Sequence, residues 1–96
     1  MLSYIWGKMS KFTDNELSII YKLWRNRCFG KGHMLTDNLT DGFPTNIQDK
    51  IAESVKELIR KGFLVRKSSK HGQAVFINLN MKKQIEVELK KKYPFI

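Results

Sequence analysis

Residues 44–80, PTNIQDKIAESVKELIRKGFLVRKSSKHGQAVFINLN, decide the fold. Within them Ile47, Ile51, Val55, Leu58 and Ile59 recur at the three- and four-residue steps of one helical stripe. Gln48, Asp49, Lys50, Glu53, Lys56, Glu57 and Arg60 fall on the other faces. The spacing predicts an amphipathic helix over 45–61. Thr45 would cap its start just after Pro44, and Gly62 would supply the left-handed residue at its end. Two β-rich runs follow, 63–67 and 74–79, on either side of Ser-Ser-Lys-His-Gly-Gln. Apolar runs flanking a polar, glycine-bearing connection predict a hairpin with a longer turn.

The run VKELIRKGFLVRK (55–67), followed by that hairpin, resembles the recognition helix and wing of the winged-helix DNA-binding domains. These occur in small bacterial and archaeal transcription regulators. In that family an apolar residue four positions before the glycine packs the helix on the core. Leu58 holds that place here, and Phe63 and Leu64 begin the first wing strand. The likeness extends over 13–79. It implies an α+β winged helix-turn-helix with a three-helix core, a β-hairpin wing over 63–79 and an added C-terminal helix. The whole chain, 1–96, would form one such domain, with 1–12 an N-terminal extension, 13–80 the core and wing, and 81–96 the C-terminal helix and tail.

Composition sets the outer bounds. Ninety-six residues, 42% of them hydrophobic, are enough for one folded domain and leave no room for a second. No run approaches the roughly 18 apolar residues of a membrane span, and MLSYIWGK lacks the basic start and long apolar middle of a cleavable signal. With one cysteine, an internal disulfide is excluded, which suits a reducing cytoplasm. The net charge of +9 favours a polyanionic partner, nucleic acid before anionic membrane. That charge is unevenly placed: +4 over 1–35, −3 over 36–59, +5 over 60–73 and +3 over 74–96. The positive field therefore belongs to the hairpin and the flanks, not to the front of the 45–61 helix.

Met1 to Lys11 opens with the apolar residues Leu2, Tyr4, Ile5 and Trp6, read as a segment docked on the domain or part of a dimer contact; Met9 is a second candidate initiator. Thr13-Asp-Asn-Glu16 is a capping box, with Phe12 and Leu17 as its hydrophobic staple. Leu17, Ile20, Trp24 and Cys28 then share one helical face, and Phe29-Gly-Lys-Gly32 is expected to end the helix. Residues 33–41 read as a short helix with Met34, Leu35 and Leu39 inward. In the winged-helix pattern this is the helix that crosses behind the recognition helix. Asn80 is expected to cap a last helix over 81–92, with Met81, Ile85 and Leu89 in register and Glu88 facing Lys92. By the resemblance that helix makes a homodimer; packing back on the first helix is the alternative.

The chemistry-bearing inventory points away from an enzyme. There is no phosphate-cradling glycine loop, no nucleophile–base set and no convincing pair of acids. Cys28, His33 and His71 are too few and too scattered for a metal site, so no catalytic residue, metal or cofactor is assigned and no small-molecule ligand is inferred. The candidate contacts are those of double-stranded DNA. From the helix come Asn46, Gln48, Lys50 and Lys56, which can reach base edges or phosphates; from the wing come Arg66, Lys67, Lys70 and His71, which can follow a phosphate backbone. Asp49 and Glu53 oppose that reading, because a carboxylate finds favourable company in DNA only at a cytosine amine. They support the alternative of a winged-helix protein-interaction module. A third possibility, single-stranded nucleic acid or RNA, needs exposed aromatics such as Tyr4, Trp6 or Tyr93.

Overall fold

The computed structural model describes residues 12–96; the expectations for Leu2, Tyr4, Ile5, Trp6 and Met9 lie outside the described residues. Helix α1 (Asp14–Arg25) leads to strand β1 (Met34–Leu35) and then to helix α2 (Thr36–Asp41). Helix α3 (Gln48–Arg60), strands β2 (Leu64–Ser69) and β3 (Gly72–Ile77), and helix α4 (Lys82–Lys92) follow. The described residues are thus α+β, with four α-helices and a three-stranded antiparallel sheet in the order β1-β3-β2.

α1 starts as its sequence demands. The Thr13 hydroxyl accepts from the Glu16 N–H at 3.1 Å, and the Glu16 carboxylate accepts from the Thr13 N–H at 2.9 Å. The second Glu16 oxygen meets Lys61 at 3.4 Å, which ties the start of α1 to the end of α3. The helix stops earlier than expected, at Arg25. The Asn26 side chain donates to the Lys22 carbonyl at 2.7 Å, and Arg27 turns left-handed with φ of 55°. Cys28 N–H then bonds the Leu23 carbonyl and Arg27 N–H bonds that of Trp24, the two bonds of a Schellman close. Cys28 is buried all the same, but by a loop and not by a helical face.

The loop that follows is tight. A Cβ on Gly32 would fall 2.5 Å from the Arg27 carbonyl oxygen, so only glycine lets the chain fold back so closely. It emerges as β1, and the helix expected over 33–41 is shortened at its start. Met34 pairs with Val75 and Leu35 with Ala74, and the helix begins only at Thr36. The β3 edge offers partners for the Met34–Leu35 backbone, which local propensity does not foresee.

α3 carries the core stripe as read: Ile51, Val55 and Leu58 are buried, with Ile47 and Ile59 half-buried at its margins. Its start is different. Thr45–Ile47 form a 3-10 turn, the α-helix proper begins at Gln48, and no side chain caps it. Its end is the expected one, with Gly62 at φ 87° and a second Schellman pair, Phe63 N–H to Leu58 and Gly62 N–H to Ile59. The hairpin is longer and its turn shorter than expected. Ser69 pairs with Gly72, which leaves Lys70 and His71 as the turn. Ser68, Ser69, Gly72 and Gln73 belong to the ladder because cross-strand bonds satisfy polar residues as readily as apolar ones.

Asn78, not Asn80, provides the last cap: its side chain accepts from the Asn80 N–H at 3.0 Å at the head of a 3-10 turn, and α4 follows. Ile85 and Leu89 are fully buried in the same core as α1. Glu88 pairs with Lys91 at 3.1 Å, whereas Lys92 reaches Asp14 at the start of α1. α4 therefore packs back on α1. No helix among the described residues is long and apolar enough to cross a membrane.

Two substitutions test this packing. Leu58→Ala removes a fully buried side chain and is expected to cost about 2–5 kcal/mol. Gly32→Ala forces a methyl group against backbone and is expected to cost about 1–3 kcal/mol. Urea unfolding followed by circular dichroism reads both; wild-type stability in Gly32→Ala would refute the close approach.

Candidate nucleic-acid interface

Helical spacing turns Asp49, Glu53, Lys56 and Arg60 directly away from the buried stripe of α3, with Lys50 and Glu57 on the flank behind them. Arg60 Nε donates to both Glu57 carboxylate oxygens at 3.1 Å, and the guanidinium Nη2 also meets Oε1. That hydrogen bond holds the Glu57 carboxyl below the usual carboxylate range and raises Arg60 in turn. Both groups lie open to water, so the pair adds little to stability. Three acids and three bases share this surface, which leaves it without net charge.

The hairpin is different. Arg66, Lys67, Lys70 and His71 are all exposed, and the hairpin contains no acid. Side chains alternate along a strand, so Arg66 and Lys67 lie on opposite faces of the ladder. The register places Gln73 and Val75 on the Arg66 face, which is the face turned towards α3. Between them runs a half-open groove of about 280 Å³. Ala52, Val55, Lys56 and Ile59 form its helix wall, Arg66 and Gln73 its strand wall, and Thr36 and Asp37 its end.

This groove brings together two residues picked out from the sequence, Lys56 and Arg66. Lys67, Lys70 and His71 sit on the back and tip of the hairpin, and neither Asn46 nor Lys50 lines the groove. Gln48 is half-buried and its amide donates to the Phe43 carbonyl at 3.0 Å, so one of its two amide hydrogens is already engaged. Gln73, Ala52 and Ile59 were not marked as site residues by the sequence. Gln73 could have been found only from the hairpin register, which the longer expected turn obscured.

Other chemistry has less to work with. Among the described residues no three His, Cys, Asp or Glu side chains gather where they could hold a metal ion. Tyr93 stacks on Tyr21 with ring centroids 4.0 Å apart, so one of its faces is occupied. Cys28 is buried, and desolvation pushes its thiol above its ordinary value of 9.0. No protein-family model, curated protein or solved structure matches the chain.

The raised Cys28 thiol fixes a sign. The fold favours the protonated form, so this group leaves stability intact below pH 9.0 and subtracts from it as pH rises beyond that value. Iodoacetamide labelling of the folded protein near neutral pH is accordingly expected to be much slower than in urea. Equal rates would show an accessible thiol.

Proposed function

We propose that this chain is a winged-helix protein that binds double-stranded DNA, a small transcription regulator in the broad sense. The observation that carries the reading is the acid-free hairpin, with Arg66, Lys67, Lys70 and His71 exposed beside α3 and Lys56 facing Arg66 across a groove. The order α1, β1, α2, α3, β2, β3 and the sheet order β1-β3-β2 are compatible with the winged-helix layout. In this reading Arg66 and Lys56 hold one phosphate strand between them while Lys67, Lys70 and His71 follow the backbone further along. Asn46 and Gln48 are the candidates for base edges, with Lys50 and Lys56 on phosphates. A homodimer through α4 would use the side that carries Val87, which is 58% exposed, because Ile85 and Leu89 are consumed within the chain.

One observation favours a second reading, an interaction module in a larger protein assembly. The outward face of α3 has no net charge, and Asp49 and Glu53 stand where DNA would require cations or amides. A protein partner tolerates that face better than a phosphate backbone does.

Titration of random-sequence duplex DNA at about 50 and about 200 mM salt separates the two. Wild type is expected to bind in the micromolar range at the lower salt and to weaken steeply at the higher. Arg66→Ala/Lys67→Ala/Lys70→Ala should bind far more weakly and flatten the log–log salt slope by about 3, roughly one unit for each phosphate no longer neutralised. No binding at low salt, or a triple variant indistinguishable from wild type, overturns the DNA reading and leaves the α3 face as the place to seek a protein partner.

A further inference from the structure

A second cationic surface lies away from the hairpin, assembled from parts of the chain far apart in sequence. Residues 17–36 contain no Asp or Glu but carry Lys22, Arg25, Arg27 and Lys31. Residues 58–85 likewise contain no acid and end on Lys82 and Lys83. The fold brings the second half of the first stretch against the end of the second. Lys82 Nζ stands 5.0 Å from the Phe29 ring centroid and 5.8 Å from that of Trp24, and the two rings meet edge to face. The close approach of Gly32 to the Arg27 carbonyl folds Arg27 and Lys31 onto the same small loop as Phe29. Arg27, Lys31, Lys82 and Lys83 are all exposed, and none of them forms an ion pair with a described carboxylate.

This arrangement contrasts with the lysines at the other end of α4. Lys90, Lys91 and Lys92 each meet an acid, Glu86, Glu88 and Asp14 respectively. Cations with no acid beside them repel one another, a cost that a polyanion relieves by neutralising them while releasing its own counterions. The aromatic rings refine the choice. Trp24 and Phe29 are half-buried and lie beneath the Lys82 ammonium, so they hold that charge in place and are not open platforms for unstacked bases. The surface therefore offers charge without stacking, which fits the phosphate backbone of a duplex.

Its position separates it from the hairpin tip. The loop carrying Cys28 docks at the far end of β3, where the Ile77 N–H donates to the Cys28 carbonyl at 2.8 Å. The turn Lys70–His71 lies at the other end of that strand, roughly 17 Å away at about 3.3 Å per residue. We infer that Arg27, Lys31, Lys82 and Lys83 form a second duplex-binding surface, so that one chain holds two DNA segments. This goes beyond the hairpin reading and stands on different residues.

The stoichiometry of short duplexes decides it. With duplexes of about one helical turn, ~10 base pairs, at low salt, wild type is expected to bind two per chain by sedimentation velocity. Arg27→Asn/Lys31→Ala/Lys82→Gln should bind one; asparagine replaces Arg27 because it tolerates the left-handed backbone at φ 55°. Lys82→Arg alone, which keeps the charge over the rings, should still bind two. Unchanged circular dichroism and urea midpoint establish that the loop variant is folded. One duplex per wild-type chain overturns the inference, as does a loop variant that still binds two. Loss of single-strand binding with duplex binding untouched overturns it too, in favour of base stacking. The hairpin variant reports separately: if it still binds two duplexes while the loop variant binds one, the hairpin reading fails and the second surface stands.

Discussion

The buried stripe of α3 is the constraint on which the other elements depend. Ile51, Val55 and Leu58 share one core with Ile19, Ile20 and Leu23 of α1, Leu39 of α2, and Leu64, Val75 and Ile77 of the sheet. Because that stripe is fixed inward, the residues a helical half-turn away are fixed outward, and α3 has no freedom to choose what it presents. The close of α3 extends the constraint. Phe63 N–H bonds the Leu58 carbonyl, and Asn78 bridges back from the far strand through its side chain to Gly62 and its N–H to Phe63. Helix and hairpin consequently meet at one rigid corner, and the groove between Lys56 and Arg66 inherits its width from it.

Electrostatics then divides the surface. Acids meet lysines where α1, α3 and α4 converge, at Glu16 with Lys61, Asp14 with Lys92 and Glu88 with Lys91. The first two contacts dock helices on one another, the third lies within α4, and each sets an acid against its lysine's charge. The excess charge is left on the hairpin and on the loop after α1. The proposals made for both rest on this asymmetry more than on the total of +9, which an evenly basic protein could carry without any partner.

Much of the fold was legible because its signals are local. The capping box at Thr13, the apolar stripe of α3 and the glycine at 62 each act within one or two helical turns. The errors were also local in form but had distant causes. Residues 33–41 satisfy a helical pattern, yet Met34 and Leu35 are claimed by the edge of β3, some forty residues later in the chain. The longer turn expected between the strands gave way to Lys70–His71 because Ser68 and Gln73 find partners across the ladder. α1 ended early through Asn26 and Arg27, residues that carry weaker stop signals than the glycines after them.

By itself the sequence determined which faces of α1, α3 and α4 are apolar, where the hairpin lies and which residues carry its charge, since these follow from periodicity and residue type. Tertiary structure alone decided that β1 exists, that α4 folds back on α1, that Gln48 is engaged by Phe43, and that Arg66 faces Lys56 while Lys67 faces away. It also decided that Lys82 reaches Trp24 and Phe29. The physical reason is the same in each case: strand register and helix docking depend on partners supplied by remote segments, and a one-residue change of register or a different docked face would rearrange every one of these contacts without altering a single local preference.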